Sequence, residues 1–184
     1  MAPEMEETAG KLGDSGVLVR PARFSDCPGI LEIYNEAVLN TTASYDYEPR
    51  SLAHREEWLA AHERDRFPVF VAEASGGEVL GWSALNKFHD RVGYRFTSEN
   101  SIYVAPAWRG RGLGGRLLAP LIEAAPARGL HAVIACIDAQ NEASLRLHQR
   151  FGFQRVGLFR RVGYKFNRWL DVVYLELMIE PAPC

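Results

Sequence analysis

The chain has 184 residues, 47% of them apolar and 24% charged, with a formal net charge of −2. That length holds one domain with a real core and is short for two, and the composition is that of an ordinary globular protein. A pI near 6.2 excludes a protein that binds nucleic acid through its overall charge, so any basic function has to be local.

The opening MAPEMEETAGKLGDSG is acidic and glycine-bearing without an apolar stretch, which argues against a signal peptide. It predicts a disordered tail over residues 1–16 ahead of a single domain over 17–180. VLVRPA (17–22) reads as a short strand ended by Pro21. Ser25 is the expected N-cap of a first helix, in which Ile30, Leu31, Tyr34, Val38 and Leu39 recur at helical spacing. TTASYDYEP (41–49) is a polar, aromatic loop, and Ser51 opens a second helix through Trp58 and Leu59. PVFVAEA and VLGWSAL are β-branched, apolar runs around SGGE, the signature of a hairpin. NSIYVAP is a further strand. A helix is expected from about Gly112 to Arg128, interrupted at Pro120 and Pro126. HAVIACI is a buried strand, NEASLRLHQRFGF a helix ended by Gly152, and DVVYLELMI the last strand.

The resulting order, β-α-α-β-β-β-α-β-α-β, gives an α/β fold with a mixed sheet and helices on both faces. No apolar run reaches the length of about 20 residues that a membrane span needs. Cys27, Cys136 and Cys184 are an odd, scattered set without CxxC spacing, which fits a reducing compartment and neither a disulfide framework nor a zinc site. The expected location is cytoplasmic, with no metal.

The segment YVAPAWRGRGLGGRLL (103–118) carries the chemistry. Gly110, Gly112, Gly114 and Gly115 are poor helix residues, each costing roughly 0.5–1 kcal/mol where alanine could sit, yet a helix follows them. A turn that binds nothing leaves that cost unexplained. A P-loop needs lysine and Ser/Thr after the second glycine, where Arg116 and Leu117 stand. Gly110, Gly112 and Gly115 do spell GxGxxG, and Asp138 ends the next strand. The dinucleotide fingerprint, however, belongs to a first β-α unit, and this loop follows several strands and two helices. What remains is an anion site of bare N–H groups at a helix start, with Arg109, Arg111 and Arg116 adding charge for a ligand with several phosphates. Coenzyme A is such a ligand.

SIYVAPAWRGRGLGGRLL resembles the acetyl-CoA-binding segment of the GNAT N-acetyltransferases, with Arg109, Gly112 and Gly114 on the positions of the pattern [QR]-x-x-G-x-[GA]. The resemblance runs from Val17 to Ile179. It is closest to the phosphinothricin and methionine sulfoximine acetyltransferases in EIYNEAVLNTTASYDYEPRS, GYRFTSENSIYV, NEASLRLHQRFGF and KFNRWLDVVYLEL. It implies a mostly antiparallel sheet splayed between its fourth and fifth strands, with acetyl-CoA as co-substrate in the gap. It also implies direct transfer to the α-amine of a small glutamate-like or methionine-derived amino acid, and a homodimer.

Residue by residue, the resemblance makes Glu99 the general base, placed three residues before the strand Ile102–Val104. On position alone Glu99 is a solvated glutamate at a strand start. The backbone of Ile102, Tyr103 and Val104 is expected to pair with the pantetheine arm, the Val104 amide polarising the thioester. Gly110 to Gly115, with Leu113, would hold the pyrophosphate, and Asn141 and Ser144 would contact the cofactor. His148 stands where many relatives carry a tyrosine acting as general acid, and it either protonates the thiolate or packs beside the cofactor. Tyr34, Val92, Gly93, Tyr94 and Arg95 are expected around the acceptor, with Asn35, Thr41 and Arg91 nearby. Lys165, Phe166, Arg168 and Trp169 form a second basic-aromatic loop near the site or at a dimer interface. Two other readings stay open at this point, a GNAT enzyme for another amine and a non-catalytic acyl-CoA-binding domain.

Overall fold

The computed structural model describes residues 16–179, so the predicted tail, apart from Gly16, and Cys184 lie outside the described residues. In chain order the elements are β1 (Val17–Pro21), α1 (Cys27–Asn40), α2 (Leu52–Asp65), β2 (Val69–Ala74), β3 (Val79–Lys87), β4 (Thr97–Val104), α3 (Leu113–Ala124), β5 (Ala132–Asp138), α4 (Glu142–Arg150), β6 (Gln154–Lys165) and β7 (Arg168–Met178). They build one seven-stranded sheet in the order β1-β2-β3-β4-β5-β7-β6, antiparallel everywhere except between β4 and β5. Alternation along β2 divides the core between the two faces. Val69 and Val71 pack with Ile30, Ile33 and Leu59 of α1 and α2, whereas Ala72 packs with Leu113 and Leu117 of α3.

Four local expectations need correction. Ser25 is not the N-cap: it lies in a one-turn 3-10 helix, Phe24–Asp26, and α1 starts behind Asp26. Asp26 prevails because its carboxylate accepts the Arg23 N–H at 2.7 Å and the Arg20 guanidinium at 2.7 and 2.8 Å. The helix expected to reach Arg128 stops at Ala124, where Pro126 has no N–H to offer and a 3-10 turn takes over. β4 begins at Thr97, so Glu99 lies inside the strand rather than ahead of it.

The fourth correction is a missed strand. β6 is exposed along most of its length and its register with β7 shifts twice, so it shows neither the apolar run nor the clean alternation of a half-buried strand. The predicted loop at 165–169 is the tight end of the β6–β7 hairpin, with Phe166 and Asn167 at φ of 50° and 58°. Lys165 belongs to β6 and is buried, while Arg168 and Trp169 begin β7.

Candidate active site

β4 and β5 are hydrogen-bonded only at Thr97–Ala132, Ser98–Val133 and Glu99–Ile134. Beyond Glu99 they diverge. β4 stays paired with β3, from Lys87–Ser98 to Gly81–Val104, so its other edge is bare from Asn100 onward. An edge of unpaired N–H and C=O groups is a place where an extended ligand can add itself as a strand. The gap opens into a groove of about 870 Å³ that runs from Ile102, Tyr103 and Val104 past Arg109, Gly110 and Gly112–Gly115 to Asn141 and Ser144. Of the twelve residues expected to hold the cofactor, only Arg111 is missing from its walls.

At the closed end, where the strands meet, a cavity of about 100 Å³ is lined by Glu99, Ser101, Tyr45, Cys136, Asp138 and His148, among others. Burial raises the Glu99 carboxyl above the usual carboxylate range, offset in part by a hydrogen bond from Cys136 and by His89. A carboxylate poised this way is a better base for an ammonium than a solvated one.

The glycine loop has two separate reasons for its composition. Gly110 and Gly112 have φ of 76° and 82°, in the left-handed region, and a Cβ there meets nothing of the protein within 4 Å. Gly112 caps α3, where the Gly115 N–H turns back to the Gly112 carbonyl at 3.1 Å, and the first turn of the helix lines the groove. Gly114 is bare for a different reason, since a Cβ would come within 2.9 Å of Leu147 on α4. At Gly115 the nearest atom would be 3.6 Å away, ordinary contact.

The arginines do not gather at the loop as expected. Arg109 donates through Nε to the Val104 carbonyl at 3.0 Å and pairs with Glu36 of α1. Arg111 stacks over Trp108, 5.0 Å from its centroid, and Arg116 reaches the Val17 carbonyl at 2.5 Å, toward β1. Arg109 still lines the groove, where it is joined by Arg150 of α4 and Arg168 of β7. Neither of these two stands beside the glycines in the chain, so local reading gave no signal for them as cofactor residues.

His148 is buried, with Nδ1 2.8 Å from the Ser144 carbonyl and Nε2 2.8 Å from Asn100 Nδ2. A carbonyl only accepts, so Nδ1 carries the proton and Nε2 accepts from the amide. Burial depresses the ring below the usual imidazole range. With both nitrogens engaged, the ring is a strut between α4 and β4.

His62 sits between two acceptors, the Trp58 carbonyl at 2.8 Å and Asn86 Oδ1 at 3.1 Å, which favour its protonated form, but burial outweighs them and lowers it too. The unfolded chain takes up protons at the ordinary imidazole pKa of about 6.5, and the folded protein only lower, so stability is lost as pH falls through this window. Glu99 acts in the opposite sense, because its raised folded pKa adds stability on acidification. The melting temperature measured between about pH 7.5 and pH 5.5 is therefore expected to fall less steeply in His148→Gln than in the parent. Equal slopes would mean that His148 is not the strut described.

The expected acceptor residues are not brought together within one chain. Tyr34 is packed behind the site, its hydroxyl donating to Asp46 Oδ2 at 2.6 Å and its ring under the buried Arg55 guanidinium at 4.6 Å. Asn35 holds the backbone of Arg50, with Oδ1 accepting its N–H at 2.8 Å. Val92, Gly93 and Tyr94 form an exposed 3-10 turn, and Arg95 folds back over Phe96, 4.2 Å from its centroid. Arg91 caps that turn. None of Arg91 to Arg95 lines either cavity. What shapes the small cavity is the 41–47 segment, pinned from several elements. Thr42 donates to Asp138, Tyr103 to the Ala43 carbonyl at 3.1 Å, and Lys165 Nζ to the Thr41 and Ser44 carbonyls at 2.9 and 2.6 Å. Sequence reading missed Tyr45, Asp138 and Cys136 as wall residues, because the pairing of β5 with β4 brings Cys136 and Asp138 to the cavity and the folding of the 41–47 segment brings Tyr45.

A sheet opened beside a helix start that offers N–H groups, with a buried carboxylate where the opening closes, is the architecture of an enzyme that transfers a group from a phosphorylated carrier. The acetyltransferase (GNAT) family model matches residues 30–153. The chain is 45% identical over 164 residues to an L-methionine sulfoximine/L-methionine sulfone acetyltransferase of Pseudomonas paraeruginosa, covering 89% of this chain and 95% of the relative. It is 39% identical over 166 residues to a phosphinothricin N-acetyltransferase of Streptomyces coelicolor, covering 89% and 97%. Among solved structures, an acetyltransferase of Salmonella typhimurium with its cofactor acetyl-CoA superposes with a TM-score of 0.88 at 38% identity, over 92% of this chain and 98% of that one. The chain belongs to the GNAT acetyltransferase family, and it is an N-acetyltransferase. Among the described residues no helix is long and apolar enough to cross a membrane.

Proposed function

We propose that the enzyme transfers acetyl from acetyl-CoA to the α-amine of a small methionine-derived or glutamate-like amino acid, such as methionine sulfoximine, methionine sulfone or phosphinothricin. The observation that carries this reading is the cavity at Glu99. It is small, lined by residues of the 41–47 segment, β4, β5 and α4, and joined through shared residues to the groove that suits the pantetheine arm. A small amino acid fits such a chamber, and an extended peptide does not. The relatives named for methionine sulfoximine and phosphinothricin support the same acceptor class.

In this reading the acetyl-CoA pyrophosphate sits on the N–H groups at the start of α3, and the thioester lies along the bare edge of β4. Glu99 takes a proton from the acceptor ammonium, directly or through a water. The freed amine attacks the thioester carbonyl carbon, polarised by the Val104 N–H; as the adduct collapses the C–S bond breaks and the nitrogen releases its second proton to the departing sulfur or to water. Coenzyme A leaves as a thiolate that needs no dedicated acid, since a thiol pKa near 8.5 makes it a tolerable leaving group. A cysteine relay is disfavoured, because burial and the adjacent Glu99 push the Cys136 thiol up to about 12.

The enzyme works as a homodimer in the cytoplasm. The β6–β7 hairpin exposes Val156, Leu158, Phe159, Val162, Phe166 and Trp169, more apolar side chain than a lone hairpin leaves to water. The turn at Val92–Arg95 meets the acceptor at the mouth of the site, where two copies come together. Light scattering behind gel filtration is expected to give twice the chain mass, and Arg95→Ala to raise the acceptor KM while leaving the acetyl-CoA KM alone. A monomer with full activity would remove the dimer from the reading.

An acceptor panel tests the substrate class. Methionine sulfoximine, methionine sulfone and phosphinothricin are expected to give kcat/KM values well above those of polyamines and of a peptide with a free N-terminus. Preference for either of the latter would refute the acceptor assignment.

A further inference from the structure

Cys136 has no place in the family pattern, yet it lies in the wall of the small cavity. The sheet register fixes what faces it. Glu99 is paired with Ile134 across the parallel β4–β5 step, Ile134 lies two residues before Cys136, and Cys136 is paired with Tyr174 across the antiparallel β5–β7 step. Partners across a ladder point to the same side, as do residues two apart on one strand. Glu99, Cys136 and Tyr174 therefore share one face across three strands, with Cys136 and Tyr174 directly opposite each other and Glu99 two residues back along the ladder, level with Ile134.

From this alignment we propose that Cys136 is a positioning residue for the base, its S–H donating to the Glu99 carboxylate while Tyr174 donates to its sulfur. The inference rests on Glu99 being the base. Glu99 and Cys136 line the same small cavity, and Tyr174 is the direct cross-strand partner of Cys136. The thiol stays protonated across the working range and so remains a donor, as a carboxylate base requires.

This arrangement supplies two things. It fixes one carboxylate oxygen, so that the other faces the cavity and the incoming ammonium. It also favours the ionised form in a place where burial opposes it, so that Glu99 remains charged at the pH of the assay. The other titratable groups around Glu99 are His89 from the segment after β3, Tyr103 from β4, and Tyr45, Asp138 and His148 around the cavity. Glu176 of β7 is paired with Ile134 on the same face.

The test is the pH profile of kcat/KM with methionine sulfoximine for the full-length enzyme and three variants. Cys136→Val removes the donor and keeps water out, and it should move the acidic limb up by on the order of half a pH unit. Cys136→Ser restores a donor and should return the limb to its original place. Glu99→Gln should abolish the limb. If Cys136→Val leaves the limb where it was, or Cys136→Ser moves it as far as Cys136→Val does, the proposal is overturned while Glu99 remains the base. If the limb persists in Glu99→Gln, the assignment of the base fails and the proposal with it. Should Cys136→Val not fold, as judged by circular dichroism, Cys136→Ala takes its place against Cys136→Ser on the same criteria.

Discussion

Glu99→Gln is expected to lower kcat at neutral pH on the order of 10²-fold while leaving the KM for acetyl-CoA nearly unchanged, as removal of a general base does. The two effects separate because Glu99 stands at the closed end of the β4–β5 gap, away from the glycine loop that is proposed to take the phosphates. The same substitution should raise the melting temperature at neutral pH. A carboxyl whose folded pKa is raised by burial contributes most to stability when protonated, and that contribution is lost as pH rises through the folded value. Glutamine has the shape of the protonated acid and no charge to bury. Steady-state kinetics and a thermal scan of the same preparation read both. A variant that is more stable and fully active over the whole pH range would show Glu99 to be structural, with another group deprotonating the amine.

Gly112→Val is the second large effect. At φ of 82° a β-branched residue is strained by roughly 1–2 kcal/mol, so the fold should survive with a lowered melting temperature. No protein atom lies within 4 Å of the position a Cβ would take. The added side chain therefore meets the ligand rather than the protein. The KM for acetyl-CoA is expected to rise at least about 10-fold, the equivalent of some 1.4 kcal/mol of lost binding, with a much smaller change in the acceptor KM. Gly114→Val provides the contrast, since its Cβ would press on Leu147 and should act first on stability by forcing α3 from α4. Equal, unchanged KM values in Gly112→Val would remove the loop from phosphate binding.

Much of this was legible in the chain because local rules and fold agree there. Ser51 caps α2 through the His54 N–H at 3.2 Å, the SGGE turn joins β2 to β3, and the glycines open α3, all within a few residues of their signals. The family pattern then placed Glu99 and the cofactor residues at the two ends of one opening. What could not be read was contact across the sheet. Cys136 and Tyr174 meet Glu99 through strand pairing, and Lys165 reaches the 41–44 carbonyls across more than a hundred residues of chain. β6 escaped because a strand exposed on both sides has no periodic signal. The partners of the loop's arginines were equally illegible, because tertiary structure brings Glu36, Trp108 and the Val17 carbonyl to them, while Arg109 still lines the groove.

Transfer without a protein-bound acetyl group, between two substrates held in one continuous opening, is tested most directly by initial rates. Acetyl-CoA and methionine sulfoximine are varied together, and double-reciprocal lines are drawn at several fixed concentrations of each. Intersecting lines are expected, because Glu99 can act only when the amine and thioester are bound at once and the Cys136 thiol is too weakly ionised to carry the acetyl group. Parallel lines would require an acetyl-enzyme, and would contradict direct attack at Glu99.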